Sequence, residues 1–294
     1  MVKQKILIFI SSLALAIGIV IMLYPAVSSI INAKNQSQVI DGYVEKVESF
    51  SDGRIESLWK QAVQYNKKLK NSTVVMTDPF DEEAVKITSQ EYEDTLNIDE
   101  TGLMAFIDIS KIGVHLPIYH GTGESVLAKA VGHLQGTSFP IGGKDTHSVL
   151  SAHTGLAKAK LFTDLDELAI GDTFYITVLD EVMTYKIYDI EIVEPEDISS
   201  LKIEDGKDLC TLVTCTPYGV NSHRLLVHGE RIPTLGEAEP EPMTTLQTVV
   251  FAWEYLLIGG VLFLGAMVLL IFLIRRRQER KRRIRELWRR IRGE

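Results

Sequence analysis

"TLVTCTPYGVNSHRLLVHGERI", Thr211–Ile232, is two β-rich runs joined by the turn formers Pro217, Gly219 and Asn221. If the runs pair as a hairpin across Thr216–Ser222, Arg224 at the start of the second lies beside Cys215 at the end of the first. The same rhythm spreads outward from this stretch: "LMAFIDI", "VHLPIY", "HSVLSAH", "DTFYITVL", "VMTYKIYDIEIV", "LCTLVTC" and "HRLLVHGERI" are short runs separated by turn residues. Seven or eight strands at this spacing predict a mainly β fold, a closed or nearly closed antiparallel sheet. Short helical insertions are expected around Glu124–Ala130 and Ala157–Phe162.

The flanks are of a different kind. Ile6–Tyr24 and Tyr255–Ile274 are apolar and long enough to cross a bilayer, which takes roughly 20 residues. Lys3 and Lys5 precede the first span, and the tail after the second holds eleven of the 31 Lys and Arg and three of the 39 Asp and Glu. That makes the tail net +8 and the rest −16. Because basic residues stay on the cytoplasmic side, both ends are expected inside and the acidic middle outside. Ala26-Val27-Ser28 also fits a signal-peptide cleavage site, which would remove the first span. The Arg-rich tail reads as a stop-transfer signal rather than a nucleic-acid patch, and Ile284, Leu287, Trp288 and Ile291 give it the spacing of an amphipathic helix on anionic lipid.

Between Gln36 and Lys70 apolar residues recur at three- and four-residue intervals, predicting two helices broken at Ser51-Asp52-Gly53. The expected organisation is thus a membrane span over 1–30, a helical region over 31–100, a barrel over 101–232, a Pro/Glu-rich linker over 233–250, a second transmembrane helix over 251–274 and a basic cytoplasmic tail over 275–294.

Cys210 and Cys215 are the chain's two cysteines. Five residues apart on one strand, their Cα atoms are separated by about 16 Å and their side chains point to opposite faces, so they cannot form a disulfide. Cys210 is mid-strand and reads as a buried hydrophobe. Cys215 fits that reading too, but its strand-end position also suits an accessible nucleophile. A nucleophile needs a proton donor or acceptor, and spacing alone does not choose among the seven histidines. His153, where "HSVLSAH" opens into a loop, has a modest edge. No His-x-x-x-His or Cys-x-x-Cys spacing points to a metal.

"TLVTC" resembles the Thr-Leu-x-Thr-Cys signature of sortases, the cell-surface cysteine transpeptidases of Gram-positive bacteria. "HRLLVHGER", "LSAHTGL", "LFTDLDEL" and "GDTFYI" are also similar to sortase segments, in the expected order, from about Leu103 to Ile232. The second span and "TDPF" at Thr77–Phe80 resemble the class C, pilin-polymerising group. The resemblance implies an eight-stranded sortase-type barrel with Cys215, His153 and Arg224 as the catalytic residues. It implies that Asp78 and Phe80 form a lid, the acid pairing with Arg224 and the ring covering the cysteine. It further implies cleavage of a Leu-Pro-x-Thr-Gly-like signal at Thr–Gly, with transfer to a pilin lysine amine and no cofactor, metal or nucleic acid. A sortase that anchors proteins to a cell-wall precursor amine, and a non-enzymatic surface adhesin or scaffold, are the alternatives. On this reading the Asp78–Arg224 pair is expected to be exposed, and therefore weak.

Overall fold

Seven of the eight strands form where the alternating runs predict them, and together they close on themselves. The structure, a computed structural model, describes residues 2–71, 76–81, 89–156 and 159–234, and scattered helical residues between 259 and 283. The strands are β1 (Leu103–Ile109), β2 (Val114–His120), β3 (Val131–His133), β4 (Thr146–Ser151), β5 (Thr173–Val178), β6 (Glu181–Val193), β7 (Asp208–Thr216) and β8 (His223–Ile232). They form a closed barrel in the order β1-β2-β3-β4-β7-β8-β6-β5, with β5 pairing back onto β1.

The sheet is mixed, which corrects the antiparallel expectation. β2 pairs parallel to β3, and β4 parallel to β7. Parallel neighbours need a crossover rather than a tight turn. The first crossover carries α4 (Glu124–Leu127), and the second consists of β5, β6 and their connections. β3 escaped the sequence reading because "VGH" is too short to show alternation. Its Gly132 is required by packing, since a Cβ there would stand 2.4 Å from the Gly121 carbonyl oxygen. Ala157 and Lys158, within the second expected insertion, lie outside the described residues; the following helical turn forms later, at Leu165–Glu167.

Two helices precede the barrel, α1 (Val2–Glu48) and α2 (Asp52–Lys70), separated at Ser49–Ser51 as the "SDG" break suggests. α2 has Asp52 in its first turn and Lys67, Lys68 and Lys70 in its last, complementing the helix dipole. Its Leu58, Ala62 and Leu69 are buried, and the Asn66 amide exchanges two hydrogen bonds with the Phe139 backbone, at 3.1 and 2.8 Å. The Tyr43 hydroxyl of α1 donates to the Met104 carbonyl (3.0 Å) and accepts from the Leu179 amide (2.7 Å), so α1 also grips the barrel. A short helix, α3 (Gln90–Asp94), buries Tyr92.

The chain divides into two units, Ser28–Thr248 and Met1–Val27 with Val249–Glu294. α1 runs unbroken through the boundary expected at residue 30, carrying Pro25 within it. Among the described residues one helix is long and apolar enough to cross a membrane, the part of α1 over Ile17–Glu48, with mean hydropathy 1.5. Its Ile17, Val20 and Ile21 are exposed. The second expected span falls largely outside the described residues, although Gly259, Gly260, Phe263, Gly265 and Ala266 are helical and Gly259 lies against Met22 and Leu23. The linker from 235 to 250 and the tail residues Ile284–Glu294 are also outside the described residues.

Candidate active site

Strand parity sets which side chains of β7 can be reached. Cys210 and Leu212 point into the barrel and join its main core, whereas Thr211, Val213 and Cys215 point outward. On β8 Leu225 and Val227 point in, and Arg224 and Leu226 point out. The hairpin register places Cys215 opposite Arg224 and Thr216 opposite His223, so cysteine and arginine are cross-strand neighbours on the outer face.

The intervening loop is folded onto the arginine. The Val220 and Asn221 amides donate to the Pro217 carbonyl at 3.0 and 2.9 Å, and the Asn221 and His223 carbonyls each accept from Arg224 Nη1 at 3.1 Å. The other edge of the guanidinium is taken by Asp78. Nε donates to Oδ1 at 2.9 Å and Nη2 to Oδ2 at 2.6 Å, a fork-on-fork pair. The two side chains are only 14% and 11% exposed, so the pair is more buried than the sequence reading expects.

Phe80 lies between the arginine and the histidine. Its ring centroid is 5.1 Å from the Arg224 guanidinium carbon and 5.5 Å from the His153 ring centroid. Met76 and Phe80 also pack on an apolar patch formed by Leu134, Val149, Leu201, Val213 and Leu226. The Phe80 amide donates to Asp78 Oδ1 at 3.3 Å, a local turn about buried Pro79 that sets acid and ring on the same side.

His153 stands two residues beyond β4. The chain there is stitched to β7, because the Ala152 amide donates to the Val213 carbonyl (3.2 Å) and the Thr214 hydroxyl donates to the Ala152 carbonyl (2.8 Å). The second threonine of "TLVTC" therefore ties the histidine segment to the cysteine strand. His153 Nε2 is 2.9 Å from Glu124 Oε2 of α4, a partner that the sequence analysis passed over because Glu124 read only as the start of a helical insertion.

All five residues singled out in the sequence thus meet at one end of the β7–β8 hairpin. Burial pushes the Cys215 thiol above its ordinary pKa; Asp78 adds to that, and Arg224 opposes it. With Asp78 in place the thiol form is favoured and the arginine fork is occupied. Cys210 is fully enclosed, and burial holds its thiol well above the usual range. Among the described residues no group of three or more His, Cys, Asp or Glu is arranged to hold a metal ion.

Comparison with known proteins agrees with this geometry. The family model for the Sortase domain matches residues 107–232. Sortase A of Streptococcus agalactiae serotype III (strain NEM316) is 30% identical over 186 residues, covering 60% of this chain and 70% of that protein. Among solved structures, a variant of sortase C-1 from S. pneumoniae is 44% identical with a TM-score of 0.64, covering 68% of this chain and all of that one. A Streptococcus pneumoniae sortase C, whose structure is described as bearing on catalysis and pilin substrate specificity, is 40% identical with a TM-score of 0.61, covering 67% of this chain and 97% of that one.

Proposed function

The chain belongs to the sortase family of cysteine transpeptidases, and from that premise we propose that it joins pilin subunits covalently, with Cys215, His153 and Arg224 as the catalytic residues. The observation that carries the reading is the cross-strand pairing of Cys215 with Arg224 beneath an Asp78-Pro79-Phe80 segment that engages the arginine through both carboxylate oxygens.

Once the lid opens, the Cys215 thiol gives its proton to His153, and the thiolate adds to the Thr carbonyl carbon of a Leu-Pro-x-Thr-Gly-like signal. Arg224, once released from Asp78, donates charge-assisted hydrogen bonds to the oxyanion or the neighbouring substrate backbone. Collapse breaks the Thr–Gly C–N bond, and the departing glycine amine takes a proton from His153 as general acid. The resulting thioester keeps the acyl group reactive. A lysine ε-amine of another pilin subunit then attacks it and loses a proton to His153, and the thiolate leaves. The product is an isopeptide bond, formed without a nucleotide because the thioester retains the energy of the cleaved amide.

Asp78 and Phe80 act as a lid in this scheme. While Arg224 Nε and Nη2 are committed to Asp78 and Phe80 stands between Arg224 and His153, the site is closed to the signal. The one long apolar helix, with Ile17, Val20 and Ile21 exposed, supports anchoring in the cell membrane. The basic residues beside the two apolar stretches of the sequence are the support for a catalytic barrel outside and both termini in the cytoplasm unless the N-terminal span is cleaved. That arrangement suits substrates that are themselves held at the membrane until they are cut.

Mass spectrometry of the full chain incubated with candidate sorting peptides tests the reading. The expected result is an acyl adduct on Cys215 that is discharged by a pilin lysine peptide in preference to a cell-wall precursor amine. Preference for the wall amine would make the chain an anchoring sortase, and absence of any adduct would overturn the transpeptidase assignment for Cys215.

A further inference from the structure

In the proposed mechanism His153 moves every proton: it takes one from Cys215, gives it to the departing glycine amine and takes another from the acceptor lysine. An imidazole suits this task when one ring nitrogen is held and the other is open. Most of the chain's histidines are not arranged that way. His147 and His228 share the Thr211 hydroxyl, at 2.7 and 2.8 Å, and turn their second nitrogens to the Lys202 carbonyl and the Glu191 carboxylate. His120 has a carbonyl oxygen against each nitrogen, and His133 and His223 are likewise occupied on both sides. Among the described residues only His115 and His153 have a single engaged nitrogen, each facing a carboxylate. The two differ in which nitrogen is taken. His115 presents Nδ1 to Asp108, whereas His153 presents Nε2 to Glu124 Oε2 at 2.9 Å and keeps Nδ1 open.

Both sides of the Glu124–His153 contact are set by the backbone. α4 opens at Glu124, where the Val126 and Leu127 amides donate to the Gly123 carbonyl at 2.8 and 3.0 Å. Buried Leu127 seats the helix on β3, whose Gly132 leaves no gap: a Cβ there would be 3.0 Å from Leu127 Cδ2 and 3.2 Å from Thr122 Cα. His153 follows the stitched Ala152, and its own carbonyl accepts from the Phe162 amide at 3.2 Å. The Glu124 side chain is 58% exposed, and an ion pair so exposed adds little to stability. Its consequence is for the ring.

A carboxylate only accepts, so Glu124 keeps hydrogen on His153 Nε2 and leaves the Nδ1 lone pair free. When Nδ1 takes a proton, the imidazolium already has a counter-ion in contact, the part that the acid plays behind the histidine of a serine protease. The other charged groups of the site do not replace it. Asp78 is committed to Arg224, and Arg224 is itself a cation beyond the Phe80 ring. We propose that Glu124 is a positioning residue of the reaction, fixing His153 in the tautomer whose Nδ1 carries the protons. Nδ1 receives the Cys215 proton, gives it to the glycine amine as the C–N bond breaks, receives one from the attacking lysine amine and last restores the thiol. This rests on the transpeptidase reading and deepens it.

The test uses the full chain in detergent, a fluorescent Leu-Pro-x-Thr-Gly peptide and a lysine peptide as acceptor. Glu124→Ala should lower kcat about ten-fold, part of the roughly 10²–10⁴-fold that a positioned acid–base contributes. KM should stay within about two-fold, because Glu124 acts on the histidine and not on the peptide. Glu124→Gln should be no better than Glu124→Ala, since an amide offers Nε2 a donor as well as an acceptor and admits the wrong tautomer. Glu124→Asp keeps the carboxylate and should return kcat to within about three-fold of wild type. Nitrogen NMR of the wild-type chain, at a pH where the His153 ring is neutral, should find Nε2 protonated and Nδ1 bare. Wild-type kcat in Glu124→Ala or Glu124→Gln, a loss carried by KM, a Glu124→Asp chain no faster than Glu124→Ala, or a neutral His153 protonated at Nδ1 would each overturn the inference alone. A wild-type chain that forms no acyl adduct on Cys215 with any sorting peptide overturns the transpeptidase reading and the inference with it.

Discussion

Cys210 and Cys215 stand on one strand, five residues apart, and the difference between them is one of parity. Cys210 faces Leu212 and Val227 in the barrel core, and burial holds its thiol protonated far beyond the ordinary range. Cys215 faces outward beside Arg224, at the end of a hairpin whose loop is bonded to that arginine. Its thiol is also raised by burial, an effect that the Arg224 charge opposes and the Asp78 charge adds to. The inner cysteine is shielded by the fold itself. On the proposed reading the outer one is shielded by the Asp78–Phe80 segment, held through the Asp78–Arg224 pair and the packing of Met76 and Phe80, and its reactivity is conditional on that segment.

The largest expected effect comes from removing the outer thiol. Cys215→Ala should abolish acyl-adduct formation with sorting peptides while circular dichroism and melting stay near wild type. An adduct persisting in that variant, or moving to Cys210, would break the contrast between the two faces. Next is Arg224→Lys, which keeps the charge but loses the planar fork that now meets Asp78 at two oxygens. We expect a loss of about 10²-fold in kcat/KM, the scale of removing an oxyanion donor. A lysine variant with wild-type turnover would mean that only the positive charge matters.

The lid variants sharpen the comparison at a smaller scale. Fully covering a Phe ring contributes about 1.5–3 kcal/mol, and Phe80 is partly covered, so Phe80→Ala should speed alkylation of Cys215 by about ten-fold. The sequence reading treated the Asp78–Arg224 pair as exposed and therefore minor. The structure makes it forked and largely buried, so Asp78→Asn should have an effect comparable to that of Phe80→Ala. The two share one closing equilibrium, and their combination should fall short of the product. The pH profile gives a sign as well. Alkylation follows the thiolate and rises with pH through the thiol pKa, which burial and then Asp78 raise. Deleting the Asp78 charge should move that rise to lower pH. An unmoved profile and unchanged rates in both variants would reduce "TDPF" to a turn.

What the sequence made legible follows the range over which each interaction acts. Period-two alternation marked seven strands, and the cysteine–arginine pairing followed from loop length, because both are local. β3 was invisible at three residues, and the parallel junctions β2–β3 and β4–β7 were missed because pairing across a crossover leaves no local signature. Glu124 beside His153 and the two histidines on Thr211 depend on contacts 29, 64 and 17 residues apart in the chain. His153 had only a modest edge from its place where a strand opens into a loop, and family likeness chose it over the six other histidines.

The smallest expected effect belongs to the inner cysteine. Cys210 is paired in register with Gly229 on one side and Ser148 on the other, and it is fully enclosed. Gly229 has no room for a side chain, since a Cβ there would come within 2.6 Å of the Phe174 ring, so this part of the core cannot grow inward to fill a void. Cys210→Ala therefore leaves a small cavity and should cost about 1 kcal/mol of stability, a fall of about 2–4 °C in Tm for a domain of this size. Turnover should be unchanged, because the side chain lies on the opposite face of β7 from Cys215. Measuring melting and peptide cleavage on the same preparation separates the two outcomes. A variant with normal Tm and reduced turnover would place Cys210 in the chemistry and erase the distinction that strand parity draws.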